Sequence, residues 1–318
     1  MKIDLERNLS KVTEQAALAV APLIGGGDKM AVDKAAVDAM RETFATMNLG
    51  AKVVVGEGEK DQAPSFLKNE QVGRKKSYEI DLAIDPIEGT EFAAKYKPNA
   101  VAVLAGVEAG KMLRVPDVYM DKIVVGPQAK GKVSLQQSPI ENLKNVAKAK
   151  NKTVNDLTVA VLDRPRHQEL IYQLKAAGAN VRLIEGADLI WAIAAIRGMI
   201  GLDMLIGSGG APEGILTAAA VKCLGGDMEA KLCPRNKLEA NKILQAGIDN
   251  CQQIFELDDM IQGEKVIFSL TGVTDGILVD GIKNKITQSI VMRRKSEEQS
   301  YIRKMETDYS IAEKLKIS

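Results

Sequence analysis

Five carboxylates, Asp33, Glu57, Asp85, Glu88 and Glu213, stand at positions where acid is costly to bury, and together they carry the main chemical signal of this 318-residue chain. In YEIDLAID, the apolar Tyr78, Ile80, Leu82 and Ile84 alternate with Glu79, Asp81, Ala83 and Asp85, which predicts a strand with one apolar and one acidic face. Asp85 is expected at the strand's end. Pro86 cannot donate to a ladder and Gly89 permits a tight turn, so Asp85, Glu88 and the Thr90 hydroxyl can converge on one small volume. Converging carboxylates repel unless protons or cations neutralise them. A polar turn closed by an Asx-type cap fits the same residues.

In DKMAVDKAAVDAMRETFATM, Asp33, Val37, Met40, Phe44 and Met47 follow steps of four, three, four and three, one stripe of a helix. Asp33 therefore belongs to the inward face, and Lys29 lies one turn earlier on the same side; Asp28 and Asp38 point away, as a cap and a solvated residue. The alternative is a buried Lys29–Asp33 ion pair, which adds little net stability once desolvation is counted. In VVVGEGEKD an apolar strand ends at Gly56, and Glu57 and Glu59 project on one side with Gly58 between them; solvated hairpin glutamates would look the same. GSGGAPEG, residues 207–214, is a glycine-rich turn from a strand into a helix, suited to an anion at its NH groups and to a cation at Glu213. It is not a P-loop, because GxxxxGK[ST] is absent.

Oxygen-only donors with no histidine or cysteine nearby select hard cations, Mg²⁺ or Mn²⁺. Such ions leave positions for water and a substrate phosphate, so the implied chemistry is metal-assisted attack of water on a phosphate ester. Asp163, Arg164, Pro165, Arg166 and His167 form a strand-to-helix loop in which two arginines fixed by a proline can grip a phosphate, or pair with nearby acids at the surface. His167, the only histidine, fits a helix start better than a metal ligand or general base. Tyr119, in PDVYMDK, reads from its own surroundings as a core tyrosine with its hydroxyl at the surface.

The elements that position these groups alternate along the chain. Two helices near 5–20 and 29–47 precede strand-like KVVVG, YEIDLAID and NAVAVLAGV; from about 157, strands LTVAVL, NVRLI and LDMLIG alternate with helices, a βαβ succession with parallel strands. A long helix near 236–256 and a final strand, KVIFSLTG, follow, and the tail from Arg293 reads as a solvated helix or an edge element. The expected fold class is α/β, with an N-terminal α+β lobe at 1–155 carrying most metal ligands, a C-terminal α/β lobe at 156–318 carrying phosphosugar contacts and Glu213, and a cleft between. Lysine plus arginine (43) nearly cancels aspartate plus glutamate (42) and aromatics are 4%, which argues against a nucleic-acid partner. The charged N-terminus and the interruption of the most apolar window by Arg197 and Asp203 argue against export and a membrane span. Cys223, Cys233 and Cys251, without CxxC spacing, read as reduced thiols of a cytoplasmic protein.

Taken in order and spacing, DKxxxDxxAVxAM, VVxGEGExDxAP, IDPIEGT, PDxYMxKxxVGPxAKG, RPRH and GxGGAPEG resemble the class II fructose-1,6-bisphosphatases of bacteria, the GlpX type, from about residue 10 to 290. DPIxGT-like signatures also occur across the inositol-monophosphatase-like superfamily. The resemblance implies an α-β-α-β-α sugar phosphatase fold and hydrolysis of the 1-phosphate of fructose 1,6-bisphosphate in gluconeogenesis. It implies one metal ion on Asp33 and Glu57 and another on Asp85, Glu88 and Glu213. Substrate contacts carry over to Glu88, Gly89, Thr90, Tyr119, Arg164, Pro165, Arg166, Gly186, Ala187, Asp188 and Gly210. Thr90 would orient or activate the attacking group and Lys29 would help neutralise the reacting phosphate, with Asp85 and Glu57 completing the catalytic set. Relatives of this class assemble as dimers or tetramers, so a homo-oligomer is expected.

One departure bears on the substrate. Where the family has an Asp-Gly-Asp run, this chain has Gly186, Ala187 and Asp188, one carboxylate fewer. Sedoheptulose 1,7-bisphosphate, or an inositol phosphate, therefore stands as an alternative substrate, and a non-catalytic phosphosugar sensor as an alternative role. The complete carboxylate set and Thr90 argue against the sensor, since a mere binder has no use for that much buried charge.

Overall fold

The computed structural model describes residues 5–56, 65–296 and 299–310. Helices α1 (Leu5–Val20) and α2 (Lys29–Ala45) lead into strands β1 (Ala51–Val55), β2 (Gln71–Val72) and β3 (Ile80–Glu88), helix α3 (Thr90–Ala94) and strand β4 (Val101–Glu108). The middle stretch runs β5 (Tyr119–Val125), α4 (Pro139–Ala149), β6 (Thr158–Leu162), α5 (Gln168–Ala176), β7 (Asn180–Ile184), α6 (Asp188–Ile196) and β8 (Met204–Gly210). It continues through α7 (Ala211–Leu224), β9 (Asp227–Cys233), α8 (Lys237–Gln245), β10 (Ile254–Glu256) and α9 (Leu257–Met260). Strands β11 (Val266–Gly272), β12 (Ile286–Ser296) and β13 (Gln299–Asp308) follow.

The chain is mixed α/β and forms two compact units, residues 1–112 with 263–318 and residues 113–262. These limits differ from the 155/156 boundary expected from the sequence. β5 and α4 belong to the second sheet and its core, whereas β11 returns to the first sheet and pairs antiparallel with β4, from Ile267 opposite Gly106 to Gly272 opposite Val101. Periodicity marks KVIFSLTG as a strand but does not name its neighbour.

In the first unit the sheet order is β13-β12-β11-β4-β3-β1-β2, with the β1–β3 pair parallel and the other neighbouring pairs antiparallel. α1 and α2 cover it, and the predicted α2 stripe is the buried one: Val37, Met40, Phe44 and Met47 pack with Leu82, Ile84 and Leu104. Burying a side chain of that size is worth about 1.5–3 kcal/mol. Asp28 caps α2, its carboxylate accepting the Ala31 N–H at 3.0 Å, as its spacing predicted. The charged tail forms the β12–β13 ribbon with β13 at the sheet edge, so the edge-element reading holds for its described part and the helix reading does not.

In the second unit the order is β10-β9-β5-β8-β6-β7, with β6 parallel to β7 and β8, as the βαβ pattern predicted. α4 and α5 pack on Ile123, Val125, Val159 and Val161. α6 and α7 take the other face, where Gly214 lies against the Met120 sulfur. The helix expected over 236–256 stops at Gln245, because Gly247 takes φ 84, and Ile254–Glu256 becomes an edge strand on β9. Among the described residues no helix is long and apolar enough to cross a membrane.

Candidate active site

Strand β3 does not stop at Asp85 as its proline suggested. It runs on to Glu88 across an irregularity in register: Asp85 faces Val103, Glu88 faces Val101, and Pro86 and Ile87 take up the excess between them. All nine residues are buried, so the acidic face is not a solvated one. Asp81, near its start, accepts N–H groups of Gly110 and Lys111 at 2.8 and 3.1 Å and the Tyr78 hydroxyl, which accounts for it as a turn clamp. Asp85 and Glu88 are 3% and 7% exposed, and buried acids of this kind demand positive charge or protons.

Gly89 then reverses the chain with φ 82, where any β-carbon would be strained and would also sit 3.1 Å from the Phe92 ring. The turn delivers Thr90 as the first residue of α3. Its hydroxyl lies 2.8 Å from Asp33 Oδ1 and 3.0 Å from the Ile87 carbonyl, so it donates toward both. Burial pushes the Asp33 carboxyl above the usual range, opposed by the Thr90 hydrogen bond and by Lys29. Asp33 Oδ1 thus orients Thr90.

Lys29 is not in a buried pair with Asp33. Its ammonium reaches Glu91 at 3.1 Å, half exposed, and Lys95 approaches the other Glu91 oxygen at 2.5 Å. A long flexible side chain at the first helical position keeps its charge in water, and Lys95 and Lys29 together hold the Glu91 carboxyl down at about 2. Glu57, with Gly58 and Glu59, lies outside the described residues.

In the second unit the expected substrate contacts gather at one edge of the sheet, the carboxyl ends of the parallel β6, β7 and β8 together with the start of the antiparallel β5. Tyr119 pairs with Gly210 across β5 and β8. Arg164 donates to the carbonyls of Asp163 and Glu185, and Arg166 donates twice to the carbonyl of Ser208, at 2.6 and 3.2 Å. Among the described residues neither guanidinium pairs with a carboxylate, so both charges remain available to an anion. Pro165 begins the short helical turn that aims them.

His167 closes that turn as a helix-start residue. Its Nδ1 bonds the Leu162 carbonyl at 2.7 Å and Nε2 accepts the Ser208 N–H at 2.8 Å, a pattern that fixes the neutral tautomer with its proton on Nδ1. Burial pushes its pKa down. Gly186 and Ala187 link β7 to α6, and Ala187 takes the left-handed φ of 51. Asp188 opens α6 and is not an open sugar contact on both oxygens: Oδ2 meets the buried Lys122 ammonium at 2.8 Å. Lys122 stands in the PDxYMxK motif, but strand periodicity gave it no partner.

Glu213 lies in the first turn of α7, folded back over Gly210 so tightly that a β-carbon there would fall 1.9 Å from Oε2. That oxygen is buried without a hydrogen-bond partner among the described residues, the state of a carboxylate shaped for a cation. Asp85 and Glu88 in the first unit, and Glu213 in the second, each offer the hard oxygen donors that fit a divalent cation.

Buried carboxylates, a threonine held by an aspartate and arginines free of carboxylate partners among the described residues are groups that a phosphatase, a hydrolase of phosphate esters, uses. Residues 3–308 match the family described as bacterial fructose-1,6-bisphosphatase, glpX-encoded, and the chain belongs to that family. It is 39% identical to the class 2 fructose-1,6-bisphosphatase of Haemophilus influenzae over 97% of this chain and 96% of that one. It is also 39% identical to fructose-1,6-bisphosphatase 1 class 2 of Escherichia coli K12, over 93% of each. Among solved structures, an extragenic suppressor from Pyrococcus furiosus aligns over 63% of this chain and 72% of its own at 16% identity and a TM-score of 0.34. An inositol monophosphatase from Anabaena aligns over 60% and 71% at 15% identity and a TM-score of 0.31; likenesses this low carry no argument.

Proposed function

We propose that this protein hydrolyses the 1-phosphate of fructose 1,6-bisphosphate to fructose 6-phosphate and inorganic phosphate, a step of gluconeogenesis. The observation that carries the reading is the Thr90 hydroxyl held by Asp33 two residues from Glu88, itself close in sequence to the buried Asp85. The proposed ligands are Asp33 and Glu57 for one ion and Asp85, Glu88 and Glu213 for another, with Mg²⁺ or Mn²⁺ as the metal. Bound there, a divalent ion would supply Lewis acidity, polarising the phosphate and lowering the pKa of water so that it gives up a proton more readily.

The remaining work falls to the chain. Asp33 directs the Thr90 hydroxyl so that its oxygen accepts a hydrogen bond from the incoming water and fixes the water's line of approach. Glu88, Gly89 and Thr90 line the reacting phosphate, and Lys29 offers it positive charge by leaving Glu91, an exposed pair that costs little to break. Arg164, Pro165 and Arg166 with Tyr119, Gly210 and residues 186–188 take the sugar and its distal phosphate. The departure at Gly186 and Ala187, one carboxylate fewer beside the sugar, leaves sedoheptulose 1,7-bisphosphate or an inositol phosphate as the alternative substrate. The same reading makes the protein a cytoplasmic homo-oligomer, dimer or tetramer, without a nucleic-acid or membrane partner.

The test is phosphate release by the purified protein from fructose 1,6-bisphosphate, sedoheptulose 1,7-bisphosphate and a panel of other esters, with Mg²⁺, Mn²⁺ or EDTA, beside Asp85→Ala. Metal-dependent release that Asp85→Ala abolishes, with the first sugar preferred, is expected. No turnover of any ester with either metal would leave the phosphosugar sensor as the better account.

A further inference from the structure

Arg235 has no role in the chemistry described so far, yet it converges on the ring that Arg166 also approaches. The guanidinium carbons of Arg166 and Arg235 lie 4.5 and 4.8 Å from the centroid of the Tyr119 ring. They arrive from the two neighbours of β5. Arg166 is moored to Ser208 on β8, and Arg235 follows the end of β9, whose Cys233 pairs with Tyr119. Two like charges gathered on one ring repel, and a fold spends that repulsion to advantage where an anion settles between them.

The anchoring of each group uses the same two nitrogens of the fork. Glu239, itself buried, accepts Arg235 Nε at 2.8 Å, the Arg235 backbone N–H at 2.8 Å, and Nη2. Arg166 uses Nε and Nη2 on the Ser208 carbonyl. Both Nη1 groups are uncommitted among the described residues, and 60% of the Arg235 side chain is exposed. Glu239 is fixed in turn by the Asn236 cap of α8, whose side chain accepts the Glu239 N–H at 3.0 Å. Arg235 is therefore a held donor pair beside Tyr119.

We propose that Arg235 is a further specificity-determining residue, which binds the distal phosphate of the bisphosphate together with Arg166 across Tyr119. This rests on the phosphatase reading above. It predicts that the enzyme's preference for two phosphates over one is set in part by Arg235, with Glu239 as its positioning residue.

The experiment compares kcat and KM of the wild-type holoenzyme with Arg235→Ala, Arg235→Lys and Glu239→Gln, on fructose 1,6-bisphosphate and on the same sugar carrying only the reacting phosphate. A charge-assisted hydrogen bond lost from the substrate raises KM for the bisphosphate by about tenfold to a hundredfold in Arg235→Ala. kcat is expected to stay near wild type, and KM for the monophosphate is expected not to move. Arg235→Lys, which retains the charge without the fork, should recover part of the loss, and Glu239→Gln should resemble a milder Arg235→Ala. Equal effects on both esters, or a lowered melting temperature with an unchanged ratio of the two KM values, would overturn the proposal. A wild type that hydrolyses neither ester would overturn the phosphatase reading, and this assignment with it.

Discussion

Removing either partner of the Lys122–Asp188 pair should cost far more than removing both. The ammonium and carboxylate lie 2.8 Å apart with side chains 1% and 7% exposed, and Gly209 presses so close that a β-carbon there would fall 2.3 Å from Asp188 Oδ2. At that distance the Coulomb attraction is about 6 kcal/mol for an effective dielectric of about 20, and it is offset by several kcal/mol of desolvation for each ion. The intact pair thus contributes little net, but Lys122→Met leaves a buried carboxylate and Asp188→Asn a buried ammonium, each destabilising by about 3–5 kcal/mol. The double variant has no buried charge, so its loss should fall short of the summed singles by at least about 2 kcal/mol. Urea denaturation followed by circular dichroism gives the four free energies of the cycle. Single losses below about 1 kcal/mol, or simple additivity, would show that water reaches the pair and would refute the reasoning.

Thr90→Val keeps the shape of the first turn of α3 and removes the hydroxyl, so kcat should fall by about 10²–10⁴ with the melting temperature nearly unchanged; an active Thr90→Val would remove Thr90 from the chemistry. His167 supplies a pH dependence. Its pKa is lowered in the fold from an unfolded value of about 6.5, so the unfolded chain takes the proton more readily. The stability this group contributes is present above that value and is lost as pH falls through the lowered one. Denaturation midpoints between pH 8 and 5 should decline less steeply in His167→Gln, and equal slopes would exclude the effect. Ala187→Gly should stabilise by roughly 0.5–1 kcal/mol, the relief of a left-handed alanine less the added freedom of the unfolded chain, and thermal denaturation measures it. Cys233 should resist alkylation at pH 8 in the folded protein and react after denaturation, because burial first, and Asp121 beside it, push its thiol up to about 12. Mass spectrometry after iodoacetamide treatment locates the label.

What the sequence determined by itself is local. The stripe from Val37 to Met47, the Asp28 cap, the alternation that makes β3, the Gly89 turn and the glycine-rich passage into α7 all follow from side-chain spacing and from backbone preferences a few residues long. The carboxylates and arginines of the candidate site were legible for the same reason, since acid at the end of an apolar strand is an anomaly in any fold. Tertiary structure alone decided which strands are neighbours, and so placed β11 beside β4 and carried β12 and β13 into the first unit. It also decided that Lys29 turns to Glu91, that Lys122 meets Asp188, and that Arg235, just past β9 and more than 100 residues away in sequence, reaches Tyr119. Pattern in a chain reports which face of an element is buried. The identity of the group it is buried against depends on the packing of the whole core, where many distant contacts compete and no single stretch of residues holds the answer.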